Sequence, residues 1–280
     1  MPELPEVETV RRLMRRELAG QRIARAKVAP DDIVVVGGTP ERLEQALVGS
    51  TVADIGRKGK FWWLQLDRSP WLFGHLGMSG WIRALDKPTL RLHSHGEAPL
   101  DDEDGMPRFL KMLIETENGN RVAFTDGRRL GRLWLGESPE SDPQIAKLGP
   151  DVFEEIPSGE ELEKVLARRK APIKALLLNQ ALFAGVGNWV ADEALYQAGI
   201  APMRLANSLS PEEVRRLRDS LHHVVSFAID AEADHRKYPG NWLFGARWGG
   251  KRGADEVDGL KIVRETIGGR TTAWVPEKQK

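Results

Sequence analysis

The residues best equipped for covalent chemistry stand at the amino end, where the chain reads Met1-Pro2-Glu3-Leu4-Pro5-Glu6-Val7-Glu8. Loss of Met1, favoured by the small side chain that follows it, turns Pro2 into a free secondary amine. An α-amino group titrates near ~8, so a useful fraction is neutral and nucleophilic near pH 7. Such an amine attacks an aldehyde-type carbon and forms a covalent iminium. Glu3 is adjacent and Glu6 lies three residues further on, so carboxyl groups are at hand for proton transfer. The same residue types are ordinary helix-start signals, with proline at the first positions and acids in the first turn. Types alone leave both readings open.

Those residues need elements to hold them. The 280-residue chain suits about two domains. With 41% hydrophobic residues it can fill sizeable cores, and with no cysteine it has neither disulfides nor thiolate metal sites. A first helix is expected over residues 4–18, followed by short strands at 23–28, 61–66, 81–85, 109–115, 122–125 and 133–135. Thr39 and Pro40 open a short helix between the first two. Asn118-Gly119 marks a hairpin. This pattern predicts a β-sandwich or barrel. Composition changes after Gly136, and beyond it the periodicity is helical. Ser158/Glu161 and Ser210/Glu213 fit capping boxes, with helices running to about 169 and 230. Two more helices are expected over 172–183 and 189–198, and a terminal hairpin over 260–275 turning at Gly268-Gly269. The fold class is therefore α+β. Residues 1–136 form an N-terminal β-sandwich domain flanked by helices, 137–157 a linker, and 158–280 a helical domain ending in a hairpin over about 245–280.

Net charge is zero, which by itself argues against a nucleic-acid partner. The distribution argues otherwise: basic blocks occur at Arg11, Arg12, Arg15 and Arg16, at Arg128, Arg129 and Arg132, and from Lys164 to Lys174. Any one block is most simply a solvated face. Five segments carry further chemistry. In Gly185-Val186-Gly187-Asn188 the glycines let backbone approach a ligand, and Asn188 can cap a helix whose N-terminus favours a phosphate. Lys58-Gly59-Lys60-Phe61 brings lysine to a strand edge. His75-Leu76-Gly77-Met78-Ser79-Gly80 is a tight loop with an apolar tip. Asp126-Gly127-Arg128-Arg129-Leu130-Gly131 is a charged turn between strands, and Arg270 follows the glycines of the last hairpin. His93 and His95 lack an evident third ligand, so no metal is expected.

The opening string and these five segments, in this order, resemble the formamidopyrimidine-DNA glycosylase/endonuclease VIII family along essentially the whole chain. The likeness is to its plant- and fungal-type branch, which lacks a zinc finger. The resemblance implies a helix–two-turn–helix element over 173–202 and a zincless β-hairpin finger. In that finger Ala254, Val257, Val275 and Lys278 stand near the positions of the zinc-binding cysteines, and Trp274, Val275, Val257 and Ile262 are expected to pack in place of the metal. It implies that Pro2, Glu3 and Lys60 are catalytic. Lys60, Lys174, Asn188 and Arg270 would bind DNA phosphate, and Met78, Arg128 and Leu130 would enter the duplex. Leu130 stands where many members carry phenylalanine. Glu6 takes a structural or supporting role, and Glu193 contacts the flipped base in some members.

The resemblance implies a bifunctional glycosylase and abasic-site lyase of base excision repair. Pro2 attacks C1′ of an extruded nucleoside, Glu3 shuttles protons, and β,δ-elimination releases both phosphates. The segment 231–250 is short, like the truncated capping loop of the plant type. That implies hydantoins, formamidopyrimidines and abasic sites ahead of 8-oxoguanine. No cofactor is expected, and the partner is double-stranded DNA carrying oxidised bases or abasic sites, bound by a monomer without a membrane. Glu3, Glu6 and Glu8 stand where a signal peptide would be apolar, so the expected location is cytoplasmic and nucleoid-associated in a bacterium, nuclear or organellar in a eukaryote. The alternatives are a catalytically inactive damaged-DNA binder of the same fold, and a small-molecule enzyme using Pro2 as a base, which leaves the phosphate and wedge motifs unexplained.

Overall fold

The computed structural model of the chain describes residues 2–88, 98–103, 105–249 and 255–280. Met1, His93, His95, Asp104 and Ala254 lie outside them. The chain divides into two units, residues 1–147 and 148–280.

In the first unit, α1 (Leu4–Leu18) starts and stops where its sequence signals put it. Leu4, Val7, Val10, Met14 and Leu18 recur at helical spacing and are almost completely buried. Eight strands follow: β1 (Ile23–Val28), β2 (Val52–Lys58), β3 (Phe61–Leu66), β4 (Trp71–His75), β5 (Trp81–Ala84), β6 (Leu110–Thr116), β7 (Arg121–Thr125) and β8 (Arg132–Gly136). The helix α2 (Pro40–Leu47) sits between β1 and β2. The strands form two four-stranded antiparallel sheets, ordered β1-β6-β7-β5 and β2-β3-β4-β8. Helix α1 packs against strands of both, so its start is fixed by two sheets at once.

Residue 109 departs from its expected strand. Phe109 has φ +60 and stands just before β6. A bulky side chain in the left-handed region costs about 1–2 kcal/mol, so this turn is held by its surroundings. The backbone N–H of Asp126 donates to the Phe109 carbonyl at 3.0 Å.

The second unit contains α3 (Gly159–Leu166), α4 (Ile173–Leu177), α5 (Asn188–Ala198), α6 (Pro211–Asp230) and α7 (Leu243–Ala246). The hairpins β9 (Glu256–Val257) with β10 (Leu260–Lys261) and β11 (Val263–Ile267) with β12 (Arg270–Trp274) complete it. Both capping boxes form. The Ser158 and Ser210 hydroxyls accept backbone N–H groups from Glu161 and Glu213 at 3.3 and 3.2 Å, and those glutamates accept in return.

One expectation is corrected. The helix expected over 172–183 ends at Leu177, because Gln180 folds the following chain into turns. Its amide donates to the carbonyls of Leu178 and Val186 at 3.0 and 2.8 Å and accepts from Gly185 N at 3.0 Å. Within the stretch 137–157, read from sequence as a linker, residues near each end pack into the unit they belong to. Asp142 accepts the Trp134 indole N–H at 2.6 Å in the first unit. Val152 is completely buried in the second, where its N–H donates to Ala184 O. Among the described residues no helix is long and apolar enough to cross a membrane.

Candidate nucleic-acid interface and active site

Pro2 is buried immediately before α1, and Glu3 is its N-cap. The Glu3 N–H donates to Glu6 Oε2 at 3.0 Å, so Glu6 clamps the backbone that carries the candidate nucleophile and acid. One turn on, Glu8 is buried and receives Arg11, Arg12 and Arg57. Burial alone would raise its pKa, but the Arg11 and Arg57 guanidiniums hold it below the ordinary carboxylate value. Arg57 contacts Glu8 at 3.0 Å and donates to Gly59 O at 3.1 Å. The buried pair ties the start of α1 to the β2–β3 turn from which Lys60 emerges. Lys60 is only 9% exposed, and its charge acts on His75.

His75 accepts the Gly77 N–H on Nδ1 at 2.9 Å, and β4 holds it opposite Phe61 of β3. Burial, helped by the charges of Lys60 and Arg132, lowers its pKa from 6.5 to about 4. The ring is therefore neutral at pH 7 and free to accept. In the unfolded chain it takes up a proton near 6.5, whereas in the fold it does so only near 4. Its contribution to stability is complete above about 6.5 and falls as pH drops toward 4. A His75→Gln variant should lose less melting temperature between pH 7 and pH 5 than the parent does; equal losses would contradict this assignment.

Loops 76–80 and 126–131 are pressed together. A Cβ on Gly77 would come within 2.3 Å of the Leu130 backbone, and Gly77 has φ +63, so no other residue fits. Asp126 is completely buried between the loops. It accepts the Ser79 hydroxyl at 2.7 Å, Arg128 N at 3.1 Å and Gly131 N at 2.6 Å. Met78 and Leu130 are 43% and 37% exposed and Arg128 is exposed, so three candidate wedge side chains project from one stapled pair of loops. Asp126→Ala strands buried donors and should cost about 2–3 kcal/mol. Urea unfolding checks it; a loss under 0.5 kcal/mol (about the noise of a surface change) would count against the staple.

In the second unit, α5 begins with Gly187 as N-cap and Asn188 as its first helical residue. Asn188 therefore does not cap the helix with its side chain. Its Nδ2 donates to Thr271 O at 2.8 Å instead, and its buried Oδ1 has no hydrogen-bond partner among the described residues. That bond joins the α5 start to the residue beside Arg270, which is exposed at the β12 start. The hairpin turn rests on α4, since a Cβ on Gly268 would lie 3.0 Å from Ala175 Cβ. Asn188 and Arg270 thus occupy one edge of this unit.

A model of the formamidopyrimidine-DNA glycosylase N-terminal domain matches residues 1–133, and a model of the H2TH domain of that glycosylase matches 148–238. The chain belongs to the formamidopyrimidine-DNA glycosylase family. A formamidopyrimidine-DNA glycosylase of Arabidopsis thaliana is 39% identical over the whole chain and 71% of its own length. One of Pelobacter propionicus is 32% identical over the full length of both. The Lactococcus lactis enzyme, solved non-covalently bound to abasic-site DNA, superposes with a TM-score of 0.78 at 26% identity over 99% of both chains.

The cysteine-free finger of this family member is held by side-chain packing. Val257, Ile262, Ala273 and Val275 bury together with Tyr196, Leu243 and Ala246. Trp274 is outside this cluster and donates its indole N–H to Glu265 at 2.6 Å. Lys278 stacks its ammonium over Tyr196 at 3.7 Å, and the neighbouring Gln279 bridges Val275 N and Ile200 O. No group of three metal-ligating side chains exists among the described residues.

Two of the residues expected at the DNA are buried in this structure. Lys174 is completely buried: its Nζ pairs with Asp192 and donates to Asn188 O at 2.9 Å, so it braces the turn from inside. Asp192 also receives Arg247 and the Ala273 N–H, which makes it the hub joining α4, α5 and β12. Glu193 is 1% exposed, with Gln197 Nε2 and Phe244 N on its two oxygens at 2.8 Å each. Burial raises its pKa to about 7, and the sealed carboxyl anchors the first turn of α7 through the Phe244 N–H. Sequence reading misses Glu8, Arg57, Asp126, Gln180 and Asp192. Each of them except Gln180 has at least one partner tens of residues away, and residue type alone does not announce a buried charge or amide.

Proposed function

We propose that the chain is a DNA glycosylase and abasic-site lyase acting on oxidised bases in double-stranded DNA. The observation that carries this reading is the clamped start of α1: Pro2 buried, Glu3 at the N-cap with its N–H held by Glu6, and the Lys60 turn tied to the same helix through Glu8 and Arg57. A secondary amine fixed beside a carboxyl and a cation is suited to capturing a deoxyribose C1′ whose 5′ phosphate Lys60 holds.

In the first step the Pro2 nitrogen bonds to C1′ and gives up its proton while the C1′–base bond breaks and the base leaves with a proton; protonation of O4′ then breaks the C1′–O4′ bond, which opens the sugar ring and leaves an iminium between C1′ and the proline nitrogen. The resulting iminium acidifies C2′, so a base removes a C2′ proton and the 3′ phosphate departs. A second deprotonation at C4′ expels the 5′ phosphate. Glu3, adjacent to the amine, is the group suited to both proton duties. Asn188 and Arg270 supply donors for backbone phosphates, a sequence-independent task. Met78, Arg128 and Leu130 fill the space left by the extruded nucleotide.

The short segment 231–250, buried through Trp242, Leu243 and Phe244, offers little chain to cover a flipped purine. This supports a preference for hydantoins, formamidopyrimidines and abasic sites over 8-oxoguanine, as in the zincless branch. Single-turnover excision from matched duplexes tests it. Cleavage with phosphate left on both ends, and hydantoin release faster than release of 8-oxoguanine opposite cytosine, is the expected outcome. Equal or faster 8-oxoguanine release would refute the preference. Binding without cleavage would favour an inactive damage reader.

A further inference from the structure

The three wedge side chains include no aromatic ring, yet an unused one stands beside them. Phe109 is 53% exposed, among the most exposed large apolar side chains of the first unit. It is not a stray surface residue. Its backbone is held at φ +60, a conformation that glycine or asparagine would adopt with less strain. Its ring lies on Gly127, where a Cβ would meet ring carbons at 3.2 to 3.4 Å, so glycine lets the ring settle against the turn that carries Arg128. Its carbonyl accepts Asp126 N–H, the same residue that staples the Met78 and Arg128 loops. The Arg108 guanidinium lies 5.5 Å from the ring centroid. A strained, exposed aromatic packed on the turn that carries Arg128, with the Arg108 guanidinium beside it, fits a flat and polyanionic ligand. A nucleobase in a phosphate backbone has both properties.

We propose that Phe109 is a DNA-positioning residue that stacks on a base beside the gap left by the extruded nucleotide, supplying the flat contact that Leu130 cannot. This rests on the DNA-repair reading above. Stacking requires a planar face, whereas simple filling of a void requires only apolar volume, and that difference makes the two roles separable.

The test compares Phe109→Tyr, Phe109→Leu and Phe109→Ala on a duplex carrying a tetrahydrofuran abasic analogue with 2-aminopurine beside or opposite it. Stacking predicts that Tyr keeps affinity within about twofold, while Leu and Ala each lose about tenfold, the scale of one base–aromatic stack. The fluorescence change on binding should persist in the Tyr variant and be altered in Leu and Ala. Affinity for undamaged duplex should be unaffected. Melting temperatures should not fall, because no buried group is removed; if the Ala variant fails to fold, Tyr against Leu still decides. Leu binding as well as Tyr, or all variants binding like the parent, overturns the proposal. A parent protein that neither binds the lesion duplex nor forms a borohydride-trapped adduct on a natural abasic site sinks the repair reading, and the inference with it.

Discussion

Replacing Glu3 by Gln is expected to cut excision of a damaged base by about 10²–10⁴-fold, the usual worth of a positioned acid–base group. The change is isosteric, and the backbone contact to Glu6 uses the Glu3 N–H, so α1 keeps its clamp. The loss should therefore appear in single-turnover chemistry with lesion affinity within a few-fold of the parent. Imine formation on a preformed abasic site needs no base departure, so borohydride trapping there should fall far less than excision does. A Glu3→Gln protein that excises at the parental rate would remove Glu3 from the chemistry. One that loses trapping and excision equally, with a lowered melting temperature, would make its role structural.

The second large effect is on stability. Asp192 is completely buried and takes Lys174, Arg247 and Ala273 N–H together. Asp192→Ala leaves two buried cations without their common counter-charge, a loss of about 3–5 kcal/mol. The damage should be local first: amides of β11 and β12 should lose hydrogen-exchange protection before those of α1. Adding Lys174→Met should recover part of the loss by removing one stranded charge. A loss below about 1 kcal/mol, the range of exposed pairs, would mean that the hub is wet or dispensable. The same hub explains how a finger without cysteines keeps its geometry, since apolar packing from Val257, Ile262, Ala273 and Val275 has an ionic anchor beneath it.

Local signals make much of this fold legible. Proline and glutamate at the start of α1, and serine–glutamate pairs before α3 and α6, act within one turn and so survive in sequence. β2 and β4 are not legible in this way. β2 carries Asp54, Arg57 and Lys58, and its Gly56 accommodates the Trp63 ring, which a Cβ there would meet at 2.1 Å. β4 is a short apolar run broken by Gly74, where Trp62 takes the same liberty. Those glycines read as turn residues because the tryptophans they admit lie on a neighbouring strand. In the site, Pro2, Glu3, Met78 and Arg128 are legible as motifs. The inward turn of Lys174 and Glu193 is not, because each takes its orientation from a partner on another element or from burial. Phe109 reads as the first residue of a strand, and its left-handed backbone comes from the Asp126 contact seventeen positions later.

The most direct test is to locate the covalent bond. Borohydride reduction of the protein on abasic-site duplex, followed by proteolysis and mass spectrometry, should find the sugar on the nitrogen of Pro2 in a chain lacking Met1. Pro2→Gly should weaken the adduct, and a retained Met1 should abolish it. A reduced adduct on a lysine such as Lys60, with the amino terminus unmodified, would contradict the account.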